Sequence, residues 1–333
     1  MINLETEYLG LKLKNPIIVA SSGLTNNILS IQKLANNGAG AIVLKSLFEE
    51  QILAEAAQNI SMDQSYGTDV HEYITEHMRR NKISDYTKLI REAKQSVDIP
   101  IIASINCISD EEWINFTKEI EDAGADALEI NISLLPSNHE ISSSENEEKY
   151  FKILEKVRRS TKLPIALKMT QYSAGLANFI KKISWSGFVD AVILFNKYFQ
   201  PDIDIETLEV TSNGVFSSPA DISTSLRWVA IMSNTIEIPI AATTGIHSGA
   251  DVIKQLLAGA NSVQIASTIY KNGPQQIQKM LDEMTDWMNR KSYNQISDYR
   301  GLMSFDSDKN TVAFERIQFM KHYGNTEELK HDI

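Results

Sequence analysis

The sequence predicts an α/β chain of the (β/α)8 barrel class, and three observations carry that reading. Four short apolar runs are each opened by a proline: Pro16-Ile-Ile-Val, Pro100-Ile-Ile-Ala, Pro164-Ile-Ala-Leu and Pro239-Ile-Ala-Ala. Four more runs follow a glycine that closes a helical stretch, at Gly38, Gly124, Gly187 and Gly259. All are apolar throughout, with no alternation, as expected of parallel strands buried on both faces. Nothing in their order calls for a reversal, so a closed barrel fits better than a doubly wound sheet.

Each element has its own reason. Residues 2–14 alternate apolar and polar around Tyr8-Leu-Gly10 and predict a hairpin ahead of the barrel. Proline has no N–H and is tolerated at the first residue of a strand. Glycine readily takes the left-handed conformation that ends a helix. These rules place strands near 16–22, 40–45, 100–106, 127–133, 164–170, 191–196, 239–245 and 262–267. Helical patterns lie between them, for instance over 110–123, 145–161, 248–257 and 274–290. Two connections exceed ordinary loops, 46–83 and 197–219. In the second, Asn213-Gly214 predicts a hairpin turn. Both leave the C-terminal ends of strands, the face on which barrel active sites are built. The expected organisation is one domain over residues 1–304 and a charged extension over 305–333.

Composition narrows the function. The chain has 333 residues, 43% of them hydrophobic, with a net charge of −11 and no Lys/Arg run longer than two. Holding nucleic acid by its phosphates needs a basic face, so no nucleic-acid partner is expected. Cys107 is the only cysteine, which excludes an intramolecular disulfide and suits a reducing cytoplasm. The N-terminus lacks the basic and apolar regions of a signal peptide. No apolar run approaches the ~20 residues of a membrane span. The six histidines are scattered without metal-ligand spacing.

The residues that end the apolar runs carry the functional signal. In order they are Ser21-Ser22-Gly23, Lys45-Ser46, Asn106-Cys107, Asn131 and Ser133, Lys168, Asn196, Thr243-Thr244-Gly245, and Ser267-Thr268. Burying an unpaired ammonium is costly, so two lysines at such ends, with three asparagines beside them, point to an anionic or electron-rich ligand. The last two turns precede helices at Ser248 and Gly273, where backbone N–H groups and the helix dipole suit a phosphate.

These residues resemble the dihydroorotate dehydrogenase family, most closely its soluble cytosolic branch, from about Leu9 to Ser304. Asn15-Pro-Ile-Ile-Val-Ala-Ser-Ser-Gly23, Ala41-Ile-Val-Leu-Lys-Ser46, Leu167-Lys168 and Phe195-Asn196 match its motifs in order. So do Thr244-Gly-Ile-His-Ser-Gly-Ala-Asp251, Leu257-Ala-Gly-Ala-Asn-Ser-Val-Gln-Ile-Ala-Ser267 and Tyr293-Asn-Gln-Ile-Ser-Asp-Tyr-Arg-Gly301. The resemblance implies an FMN-containing barrel of pyrimidine biosynthesis, homodimeric, oxidising a CH–CH bond and passing electrons to a soluble acceptor. In such an enzyme flavin N5 accepts a hydride from C6 of dihydroorotate while a base removes the C5 proton. By the same resemblance FMN would lie against Ser21, Ser22, Gly23, Lys45, Ser46, Asn131, Lys168, Asn196, Ser217, Ser218, Thr244, Gly245, Ala266 and Ser267. Lys168 would face the N1–C2 carbonyl edge of the flavin. Lys45, Gln64, Asn131 and Asn196 would contact the substrate, a pyrimidine-like ring, and the catalytic candidates are Lys45, Asn131 and Ser133.

One stretch departs from the family pattern. That pattern reads Asn-x-Ser-(Cys or Ser)-Pro-Asn, the fourth residue being the base, whereas this chain has Asn131-Ile-Ser-Leu-Leu-Pro-Ser137. Neither Leu134 nor Leu135 accepts a proton. Loss of general-base catalysis typically costs ~10²–10⁴-fold, without abolishing cofactor binding. The loop holding Gln64 lacks the family's proline and second asparagine, and Ser217-Ser218 and Ala266 stand where glycines are usual. Cys107 and Ser133 are conceivable substitutes, although Cys107 reads first as a small buried hydrophobe. Tyr172 and Tyr198 are expected to pack over the site. Three other readings stay open: a flavin barrel acting on another cyclic amide or an unsaturated carbonyl, a catalytically silent flavin or phosphate-ligand binder, and a lyase using Lys168 as a Schiff-base amine.

Overall fold

The computed structural model describes residues 2–48, 68–106, 113–198, 200–212 and 214–305. A hairpin of β1 (Thr6–Tyr8) and β2 (Leu11–Leu13) comes first. Next are β3 (Ile17–Val19), β4 (Ala41–Val43), the short β5 (Leu47–Phe48), β6 (Ile101–Asn106), β7 (Ala127–Asn131), β8 (Ile165–Lys168) and β9 (Ala191–Leu194). A second hairpin, β10 (Pro201–Asp204) and β11 (Glu209–Ser212), precedes β12 (Ile240–Thr243) and β13 (Ser262–Ile265). Hydrogen-bonded neighbours run β3-β13-β12-β9-β8-β7-β6-β4 and return to β3, all parallel, so eight strands close into the predicted (β/α)8 barrel. Around it lie α1 (Ile28–Asn36), α2 (Thr68–Ser96), α3 (Trp113–Asp122), α4 (Ser143–Ser160), α5 (Leu176–Trp185), α6 (Ile222–Met232), α7 (Gly249–Leu257), α8 (Ser267–Asn272) and α9 (Gln276–Lys291).

The strand-opening prolines take part in a repeated device at the N-terminal end of the barrel. Each proline donates nothing, but its carbonyl accepts from a neighbouring strand: Pro16 from Val263, Pro100 from Ile42, Pro164 from Leu128 and Pro239 from Val192, at 2.8 to 3.1 Å. The N–H one residue later goes to a side chain instead. Asp126 accepts from Ile101 at 2.8 Å, Asp190 from Ile165 at 2.8 Å and Asn261 from Ile240 at 3.2 Å. Helix ends add cations, since Lys94 lies 2.6 Å from Asp126 and Arg158 lies 3.2 Å from Asp190. The preceding glycines act as expected. Gly124 sits at φ +91° with open space where a Cβ would stand, so backbone conformation alone selects glycine there.

Alternate residues of each strand point into the barrel. At its lower end those are small: Ala41, Ala127, Ala166, Ala191 and Ala241 pack with Ile102 and Ile193. Their size leaves room for the first hairpin, whose Tyr8, Leu9 and Leu13 plug the barrel from below, with Tyr8 fully buried. The other strand faces join the helices in one large apolar core.

Three details refine the sequence expectations. Asn213 of the expected Asn-Gly turn lies outside the described residues; the hairpin described in this connection, β10–β11, turns over residues 205–208, and β11 ends at Ser212. Asp204 builds that turn, its carboxylate accepting from the N–H groups of Glu206 and Thr207 and its carbonyl from Leu208. Part of the long connection 46–83 is helix, because α2 begins at Thr68. The helix expected after Gly273 is present as α9, and an additional short helix, α8, precedes it, so the Ala266–Ser267 turn is itself a helix start.

Candidate active site

At the C-terminal ends of the strands lies a cavity of about 440 Å³, of the size that holds a small ligand. Its walls bring together many of the predicted residues: Ser21, Ser22, Lys168, Asn196, Ser217, Thr244, Gly245, Ala266 and Ser267. Gln264, Phe216 and Tyr270 also line it. Gly23 stands at the rim, where a Cβ would meet the Tyr270 hydroxyl at 2.8 Å. Ser46 joins through Ser21, their hydroxyls 2.9 Å apart, and reaches on to the Ser104 hydroxyl at 2.7 Å.

The floor of the cavity is an ion pair inside the barrel. Lys168 is 7% exposed and Glu129 and Gln264 are 1% exposed. Lys168 Nζ lies 3.5 Å from Glu129 Oε1 and donates to Gln264 Oε1 at 3.2 Å. Gln264 Nε2 donates to Glu129 Oε2 at 2.6 Å. The sequence reading passes over Glu129 and Gln264. The available signal is period two: Ala127, Glu129 and Asn131 share one strand face, so Asn131 in the site puts Glu129 inside the barrel.

Beside this floor is an amide corner. Asn196 Nδ2 lies 3.2 Å from Asn131 Oδ1 and 3.1 Å from Ser133 Oγ, and Ser133 Oγ lies 3.3 Å from Asn131 Oδ1. Asn106, paired in register with Asn131, has a buried Oδ1 with no partner among the described residues. Leu134 packs against the core and Leu135 is 52% exposed, so neither brings a titratable group to the corner. Tyr172 and Tyr198 pack edge to face, centroids 5.0 Å apart. The Tyr198 hydroxyl is buried beside Ser133 and Thr170 without a well-aligned hydrogen bond among the described residues. Burial pushes its pKa up, against the pull of those two hydroxyls.

The opposite wall differs from expectation. Two backbone N–H groups there already have protein partners: that of Ser217 donates to Ser267 Oγ at 2.9 Å, and that of Ser218 to Asp221 Oδ2 at 2.7 Å. Ser218 is exposed and does not line the cavity. The start of α7 is also committed, since His247 and Ser248 N–H groups donate to Asp251 and that of Gly249 to Glu283. The Thr244-Gly245-Ile246 and Ala266-Ser267 turns remain along the wall. Gly245 has φ +82°, and a Cβ there would stand 2.1 Å from the Ile222 nitrogen, so only glycine fits. His247 Nε2 lies 3.2 Å from Ser217 Oγ, and burial, then the charge of Lys271, hold its pKa below the usual histidine value.

Lys45 is placed apart from the rest. It is exposed and lines a second cavity, of about 500 Å³, with Asn26, Asn27 and Tyr86. Gln64 and Cys107 lie outside the described residues. Among those residues no helix is long and apolar enough to cross a membrane.

Comparison with known proteins bears on the barrel as a whole. The profile of the dihydroorotate dehydrogenase family matches residues 3–288. The chain is 26% identical over 306 residues to the catalytic subunit of dihydroorotate dehydrogenase B (NAD(+)) of Thermoplasma acidophilum, covering 91% of this chain and 99% of that one. It is 26% identical over 312 residues to dihydroorotate dehydrogenase A (fumarate) of Lactobacillus delbrueckii subsp. bulgaricus, covering 88% and 100%. A match spanning the barrel from its first hairpin to α9 leaves one assignment: the chain belongs to the dihydroorotate dehydrogenase family.

Proposed function

We propose that the chain is an FMN-dependent oxidoreductase acting on a CH–CH bond of a small cyclic substrate, dihydroorotate by family resemblance. The observation that carries this reading is the cavity whose floor is the buried Lys168 ammonium and whose far wall is the Gly245 and Ala266–Ser267 turns. The orphaned acceptor Asn106 Oδ1 fits a ring N–H, and the Lys168 ammonium fits a carbonyl edge. FMN, when bound, supplies the hydride acceptor. Lys168 would hold the electron-rich edge of the ring, and the 244–246 and 266–267 turns would hold the phosphate. Asn131 and Asn196, fixed by each other and by Ser133, would orient the substrate ring. The homodimer and the soluble electron acceptor belong to the same proposal. A Schiff-base reading asks for a free amine, and Lys168 is paired with Glu129.

The loop after Ser133 favours a second reading within the same chemistry. With Leu134 packed on the core and Leu135 exposed, no family-type base stands at the corner among the described residues, which suits a substrate of lower proton demand, another cyclic amide as donor or an unsaturated carbonyl as acceptor. Purified protein supplied with FMN is expected to retain it and to show oxidised-flavin bands. Absence of bound flavin sinks the proposal. Rapid bleaching by dihydroorotate selects the first reading, and bleaching by other donors alone selects the second.

A further inference from the structure

Lys168 is not a lone cation at the cavity floor. It carries three N–H donors. One side of the ammonium is taken by Gln264 Oε1 at 3.2 Å and Glu129 Oε1 at 3.5 Å, both inside the barrel. The ammonium also lines the cavity. Gln264 is fixed in one orientation by its partners, since its Nε2 donates to Glu129 at 2.6 Å while its Oε1 accepts from Lys168. Turned over, its amide would set N–H against the ammonium and oxygen against the carboxylate. The three groups therefore form a closed ring of opposite charge and dipole, 1% to 7% exposed. With so little water there, the carboxylate is screened from the cavity only weakly. Its field also reaches the plug below, where the buried Tyr8 hydroxyl has its pKa raised by burial first and by Glu129 second.

We propose that Glu129, oriented by Gln264, is a positioning residue that offsets part of the Lys168 charge and so sets how strongly the cavity stabilises negative charge on a bound flavin. This rests on the FMN reading above. The barrel already offers an uncharged alternative beside it, because Gln264 is isosteric with glutamate and sits on the facing strand wall. A carboxylate at 129 therefore acts as a counterweight. Without it the ammonium would favour the reduced, anionic ring more strongly.

The test measures the two-electron potential of bound FMN and the affinity for sulfite. Sulfite adds its lone pair to N5 of oxidised flavin and leaves the negative charge on the N1–C2 carbonyl edge. Glu129→Gln keeps the shape and removes the charge, and should tighten sulfite binding by about tenfold or more and raise the potential by about 30 mV per factor of ten. Gln264→Glu adds a charge at the same depth and should shift both quantities the other way. Opposite shifts in the two variants support the proposal, and either variant carries its sign alone if the other does not fold. Shifts in the same direction, or a folded Glu129→Gln protein whose potential and sulfite affinity are unchanged, overturn it. Wild-type protein that takes up no FMN overturns the cofactor reading and this inference together, a result distinct from an unshifted variant.

Discussion

The Ser133 hydroxyl accepts a hydrogen bond from Asn196 Nδ2 at 3.1 Å and lies 3.3 Å from Asn131 Oδ1, to which it donates. Its proton and one lone pair are thereby committed to holding two amides of different strands. That geometry suits a brace for the corner, and we propose this role for Ser133 in place of a free base.

Ser133→Ala should cost about 1 kcal/mol of stability, the ordinary net worth of a hydrogen bond. Flavin reduction by the productive donor should fall less than the ~10²–10⁴-fold expected on losing a general base. Stopped-flow reduction and urea denaturation on the same variant separate the roles. A loss in the larger range with unchanged stability would reassign Ser133 as the base.

Lys168→Met strands the Glu129 carboxylate with Gln264 as its remaining hydrogen-bond partner among the described residues. Breaking a buried pair from one side costs about 3–5 kcal/mol, whereas replacing both members is far milder. Chemical denaturation should show Lys168→Met strongly destabilised and Lys168→Met/Glu129→Gln substantially recovered. Equal destabilisation of the single and double variants would argue against the pair.

The two leucines of the loop should behave differently. Leu134 packs on the core and Leu135 is 52% exposed. Leu134→Ala is expected to lose about 1–3 kcal/mol, and Leu135→Ala to stay within about 0.5 kcal/mol of wild type. Thermal melts decide this, and matching losses would mean that Leu135 is covered in solution.

Asp251 gives the stability an acid limb. Burial raises its pKa, but hydrogen bonds from Lys254, Ser248 and the His247 N–H outweigh it, so the folded value lies below the ordinary one. A depressed carboxylate contributes stability that is present above the unfolded pKa of about 3.9 and lost as pH falls through the folded value. Asp251→Asn should therefore be less stable than wild type at neutral pH, by about 1–3 kcal/mol. The gap should close below about pH 4. Urea titrations from neutral pH downward check the sign, and a gap that does not change with pH contradicts it.

The strand positions were legible because proline and glycine mark backbone constraints that depend on nearest neighbours. The eight runs opened by Pro16, Gly38 and their counterparts all became barrel strands. The polar ring was legible for the same reason, as the place where apolar runs stop. What escaped depends on tertiary placement. Glu129 sits in an apolar run, and its partners come from β8 and β13, 39 and 135 residues away in sequence. Lys45 ends its strand much as Lys168 does, yet one is exposed and the other buried, a difference the apolar runs themselves do not encode. The turn at 205–208 escaped because it has no Asn-Gly or Pro-Gly pair and is built by the Asp204 carboxylate.

The proline and Asp/Asn device at the base of the barrel has a consequence for how such a protein can change. It locks strand order and register at the end remote from the cavity, using backbone N–H groups and side chains that do not line it. Chemistry at the other end is then free of the duty of holding the strands together. Grafting a relative's Asn-x-Ser-Cys-Pro-Asn segment over residues 131–137 amounts to exchanging a fitting on a finished frame. The barrel can thus inherit, lose or regain a proton acceptor without being redesigned.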